Sequence, residues 1–123
     1  MTTVLYFQPV FDEHARRAVD SVSRNLEEHG YTVSHVETIE EALGCSADVI
    51  LAGVIFDGDC PEIRQYGSRS AANLTAYERL QQTGTKVVVM AFYQMEIELY
   101  KARGFPTADY REAEQVHSLL GTN

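Results

Sequence analysis

The chain has 123 residues, 45% of them hydrophobic, and a formal net charge of -8. That is the length of one domain, residues 1–123, with a core of its own, and not the composition of a disordered tail. No basic run offsets the acids, so neither a nucleic acid nor an anionic membrane surface is an expected partner; each calls for clustered Lys and Arg. No segment approaches the roughly 20 apolar residues of a membrane-spanning helix. The start, "MTTVLYFQPVFDEH", lacks the positive charge and small-residue cleavage site of a signal peptide. Cys45 and Cys60 form no CxxC pair, and His14, His29, His35 and His117 are scattered. A reducing cytoplasm is the simplest setting, and neither zinc nor any other cofactor is expected.

In chain order, "TVLYF" is a short β-rich run stopped at Gln8-Pro9, because proline cannot donate to a strand ladder. Asp12 is a good N-cap for a helix whose apolar stripe is Ala15, Ala18, Val19, Val22 and Leu26, ended by Gly30. "YTVSHV" reads as a second strand. Thr38 and Glu41 stand at capping-box spacing and open a short helix with Ala42 and Leu43 inward. "DVILAGVIF" is continuously apolar, as suits a strand covered on both faces of a parallel sheet.

A long connection then runs to Ser70. Its apolar residues Ile55, Phe56, Ile63 and Tyr66 predict an ordered lid over the sheet edge. The next helix carries Ala71, Leu74, Tyr77 and Leu80. "KVVVMAF" is another two-sided strand. A helix from about Gln94 presents Met95, Leu99 and Ala102 inward and ends at Gly104. A minimal strand near Thr107–Tyr110 precedes a last helix with Ala113, Val116 and Leu120. Strand and helix thus alternate five times, which predicts an α/β doubly wound parallel sheet, (βα)5. Ligands of such sheets bind beyond the carboxyl ends of the strands. The informative positions therefore begin at Gln8, Gly53, Ala91 and Asp109.

Three stretches, "LEEHGYTVSHVETIEEAL", "ADVILAG" and "AYERLQQTGTKVVVMAFYQMEIELYKARGFPTADY", resemble the receiver domain of bacterial response regulators in their order and spacing. The resemblance implies a flavodoxin-like fold, with the sheet in strand order 2-1-3-4-5, and a phosphorylation site. That site would comprise an acceptor aspartate ending the third strand, an acid pair for Mg²⁺ after the first, a Ser or Thr ending the fourth and a Lys ending the fifth. The chemistry needs each part: a carboxylate nucleophile, a cation, and donors to the phosphoryl oxygens. Here the acceptor position is Gly53, the hydroxyl position is Ala91, and Gln8 and Pro9 stand where the acids belong. Lys86 and Lys101 both precede the fifth strand. The expectation is a degenerate pseudo-receiver with no catalytic residues, acting as a signalling and protein-interaction module in a two-component setting.

Other readings rest on the acidic loop. Asp57 and Asp59, with Asp12, are the candidate ligands for a divalent cation, although an Asx-type turn accounts for the pair as well. Arg64 and Arg69 are candidates to hold an anion. "YFQPVF" and "ADVILAGVIFDGDCPEIRQYG" are similar to nucleoside deoxyribosyltransferases, an alternative that would make Glu62 the nucleophile. A small-ligand or metal sensor is a further alternative. For the module reading, the expected partner is a protein, with a homodimer through the fourth helix, fifth strand and last helix. Tyr100, Phe105 and Tyr110 would anchor it, with Arg103 and Arg111 on the rim.

Overall fold

The computed structural model describes residues 2–120. Five parallel strands, β1 (Thr3–Phe7), β2 (Thr32–Val36), β3 (Val49–Ala52), β4 (Lys86–Ala91) and β5 (Thr107–Asp109), form one sheet in the order 2-1-3-4-5. Six helices accompany them: α1 (Glu13–Glu28), α2 (Ile39–Gly44), α3 (Pro61–Tyr66), α4 (Arg69–Gln81), α5 (Gln94–Ala102) and α6 (Ala113–Leu120).

The period-two alternation of each strand divides the core into two layers. Leu5, Phe7, Ile50, Ala52, Val87, Val89 and Ala91 face α2, α4 and α5. Val4, Tyr6, Val49, Leu51, Val88 and Met90 face α1 and α6. The connection after β1 therefore leaves on one face and that after β3 on the other. Between these adjacent strands lies the topological switch point, where a crevice opens at their carboxyl ends.

Local signals set several boundaries. The Asp12 side chain accepts the Ala15 N–H at 2.9 Å and caps α1. Thr38 accepts the Glu41 N–H and donates its hydroxyl to the Glu41 carboxylate, a side-chain variant of the capping box. The long connection after β3 contains a helix, α3, that its length and sequence did not announce. Pro61 stands in its first turn, and Gly67 ends it at φ 87°, in the left-handed region where glycine is free of strain. Asn73 of α4 latches the start of this connection. Its Oδ1 accepts the N–H groups of Ile55 (2.8 Å) and Phe56 (2.9 Å), and its Nδ2 donates to the Phe56 carbonyl. A buried asparagine thus supplies the partners that a strand neighbour would have given.

Several expected faces are turned. On α5, Met95 is 82% exposed and Ala102 is exposed, while Glu96, Ile97 and Tyr100 point inward. Leu43 faces outward from α2. The three rings expected as surface anchors are buried. Tyr100 and Phe105 pack edge-on against Tyr77, with ring centroids 5.2 and 6.1 Å away. Tyr110 joins the opposite layer. Helical phase decides this: α5 follows the buried Glu96–Tyr100 pair, one hydrogen bond (3.0 Å) apart, which turns out Met95 and Ala102 while Leu99 still packs half-buried against the core. Arg103 and Arg111 remain exposed. On α6, Val116 and Leu120 are buried as expected, and the Ala113 side chain lies outside what is described.

Two expected outcomes follow from this packing. Tyr100→Ala removes a ring from the core and lowers stability by about 3–5 kcal/mol, read by urea denaturation. Asn73→Ala leaves dry backbone groups unpaired, lowering stability by at least about 2 kcal/mol and speeding amide exchange at Ile55 and Phe56.

Candidate functional site at the carboxyl edge of the sheet

The chain leaves β1 through Gln8, whose backbone N–H still reaches the Val36 carbonyl of β2 at 3.1 Å. The Gln8 side chain is 3% exposed and turns into the space between the ends of β1 and β3. Its Oε1 accepts two phenol hydroxyls, those of Tyr6 at 2.7 Å and Tyr110 at 2.8 Å. The Tyr110 hydroxyl in turn accepts the Val54 N–H at 3.0 Å. From the other layer, the Tyr77 hydroxyl donates to the Gly53 carbonyl at 2.9 Å. Buried groups from β1, the end of β3, α4 and the segment after β5 thus meet around one glycine.

That glycine has no spare room. A Cβ on Gly53 would fall closer than 3.0 Å to both Gln8 Oε1 and the Tyr110 hydroxyl, a separation that real Cβ atoms essentially never show, and 2.7 Å from Gln8 Cδ. Its φ is not positive, so space and not backbone conformation selects glycine here. At the position the receiver likeness assigns to the acceptor aspartate, a carboxamide and a phenol fill the volume. Ala91, at the end of β4, is buried and presents no donor side chain. Pro9 is half-buried and holds no charge. Burial pushes the hydroxyls of Tyr6, Tyr77, Tyr100 and Tyr110 above the ordinary phenol range, so all four are neutral donors near neutral pH.

Above this plug the surface carries charge already matched. Arg69 pairs with Asp57 at 2.9 Å and with Glu96, and its guanidinium lies 5.0 Å over the Tyr93 ring. Burial works against its charge, yet the hydrogen bonds it donates to Glu96 and Asp57 prevail and hold its pKa above the usual value. Arg64 pairs with Asp59 at 3.1 Å, so both arginines considered for an anion have carboxylate partners. Of the three candidate metal ligands, Asp12 caps α1, Asp57 holds Arg69 and Asp59 holds Arg64. Among the described residues no three His, Cys, Asp or Glu converge as a metal site would require.

Two clefts open at this edge. One, ≈ 190 Å³, lies between Gln8, Phe11, Asp12, Asp57, Phe92 and Tyr93. The other, ≈ 370 Å³, lies between α2, α3 and α4 and is lined by Glu62, Pro9, Phe56 and Tyr66 among others. Glu62, the nucleophile of the transferase alternative, lines the cleft between α2, α3 and α4, and Asp57 lines the other one. The roles of Gln8 as an acceptor hub and of Tyr110 as its second donor were not visible in the sequence. The one usable signal was that Gly53 and Gln8 depart together from the receiver pattern.

The topology and the layers define the receiver fold, the flavodoxin-like (βα)5 sandwich. The chain is similar to the crystal structure of a two-component response regulator from Clostridium difficile, with a TM-score of 0.62 and 15% sequence identity over 98% of this chain and 96% of that one. No protein-family model and no curated protein matches the sequence.

Gly53→Ala should lower stability by about 1–3 kcal/mol through overpacking. The loss should shrink in a Gln8→Ala background, giving a coupling of about 1 kcal/mol in a double-mutant cycle read by chemical denaturation. The tyrosines yield a pH prediction. Their folded pKa values lie above the unfolded value of about 10, so their contribution is complete below that pH and is lost as pH rises beyond it. Thermal melting should therefore fall steeply above about pH 10. Absorbance of phenolate should rise together with unfolding and not before it.

Proposed function

We propose that the protein is a receiver-like signalling module that does not accept a phosphoryl group by the aspartate route and works by binding another protein. One observation carries this reading: the packing of Gln8 and Tyr110 against Gly53. A receiver without its acceptor can still switch by other chemistry, but here the volume for an acceptor side chain is taken by groups bonded to each other. No Ser or Thr stands at Ala91 and no Lys follows Lys101, so the charge of a phosphoryl group would go uncompensated even if a carboxylate were supplied. The free thiols Cys45 and Cys60 accord with a cytoplasmic setting.

Incubation with acetyl phosphate and Mg²⁺ should leave the mass of the protein unchanged. An acyl phosphate on any aspartate, detected by mass spectrometry and cleaved by hydroxylamine, would overturn the reading. Gly53→Asp should not gain the activity and should melt at lower temperature than the parent.

A further inference from the structure

Six large hydrophobic side chains are notably exposed among the described residues, and four of them gather at the carboxyl edge of the sheet. Phe11 (49% exposed) comes from the connection after β1. Phe92 (43%) and Tyr93 (60%) come from the connection after β4, and Met95 (82%) from the first turn of α5. Phe11, Phe92 and Tyr93 line the same ≈ 190 Å³ cleft, a volume suited to one or two apolar side chains. Phe92 and Tyr93 are firmly backed. The Phe92 ring stacks on Tyr110 with centroids 4.2 Å apart, Tyr93 lies against Arg69, and the Arg111 guanidinium donates to the Phe92 carbonyl. Exposed apolar side chains on a fixed support, ringed by polar groups, are the anatomy of a recognition patch.

The charges around the patch choose its occupant. Asp12 lines the cleft, Glu13 follows it, and Glu98 lies one helical turn beyond Met95. The two arginines at this edge, Arg69 and Arg111, are matched by Asp57, Glu96 and Asp109. With Asp12, Glu13 and Glu98 set against Arg16 and Arg17 further along α1, and with His14 in the cleft lining, the surface is apolar at its centre with acids in excess around it. A second copy of this chain would bring like charge against like charge, at a net -8 for each. We infer that the patch formed by Phe11, Phe92, Tyr93 and Met95 docks a basic amphipathic segment of a partner protein. Its apolar side chains enter the cleft and its Lys or Arg side chains meet Asp12, Glu13 and Glu98 and the open faces of the rings. The inference rests on the interaction-module reading and specifies where and with what chemistry that module binds.

The test uses the whole protein and a labelled synthetic amphipathic peptide of leucine and lysine, with a leucine–glutamate peptide of the same pattern as control. Fluorescence anisotropy should show binding of the basic peptide at about micromolar Kd and none of the acidic one. Phe11→Ser with Met95→Ser removes apolar surface and no charge, and it should weaken binding about tenfold with the melting temperature unchanged. Glu13→Gln with Glu98→Gln should weaken it and flatten its salt dependence. Equal affinity of the Phe11→Ser/Met95→Ser protein would overturn the proposal by reducing the binding to net charge. Absence of binding to the parent would overturn it too. A dimer in sedimentation that Met95→Ser dissolves would assign the patch to a second copy instead. Each of these failures leaves the phosphoryl-inert reading standing, whereas acyl phosphate formation would remove that reading and leave the peptide result intact.

Discussion

Everything at the working edge of this molecule depends on one carboxamide oxygen. Gln8 Oε1 receives the hydroxyls of Tyr6 and Tyr110 in a space closed to water. An unpaired polar group there would be destabilising by about 1–3 kcal/mol, so each of the three side chains fixes the other two. The constraint spreads outward. Tyr110 can reach Gln8 because β5 is only three residues long and a single 3₁₀ turn follows at once. The same hydroxyl takes the Val54 N–H, which sets how the chain leaves β3. Glycine at position 53 is then the residue that the neighbours leave room for.

A second network, built on α4, keeps the long connection after β3 in place. Asn73 holds its backbone and Arg69 holds Asp57, while Arg69 also reaches across to Glu96 on α5. Breaking such a half-buried pair by removing one partner would strand a charge, which is more destabilising than never having had the pair. One edge of the cleft thus rests on two side chains of one helix, with Tyr93 against Arg69 and Phe92 stacked on Tyr110.

Much of the fold was legible because its signals were local. The strand limits at Phe7 and Ala52, the Asp12 cap and the Thr38–Glu41 box are each specified within a few residues of where they act. The two-sided apolar runs gave the parallel sheet, and the receiver likeness gave its order. What was misread required a distant partner. Met95 and Ala102, which share a stripe with the half-buried Leu99, face out, and no apolarity rule would bury Glu96; Arg69, from the preceding helix, does so. Tyr110 read as a surface aromatic because nothing near it in sequence discloses a hydrogen bond to a residue 102 positions away. Helix α3 is too short for periodicity, and its Pro61 and Gly67 served equally well as loop residues.

The closeness of Gly53 to Gln8 and Tyr110 has a consequence for how the sequence can drift. Three segments far apart in the chain occupy one another's space, so a substitution at any one of them meets the other two unaltered. An aspartate at 53 collides with its neighbours; a smaller residue at 8 strands two phenols; a residue without a hydroxyl at 110 abandons the Val54 amide. Each such single change is a step down in stability, of a size comparable to a large part of the total margin of an ordinary domain. The arrangement behaves as a ratchet: easily kept, and left only by several changes made together.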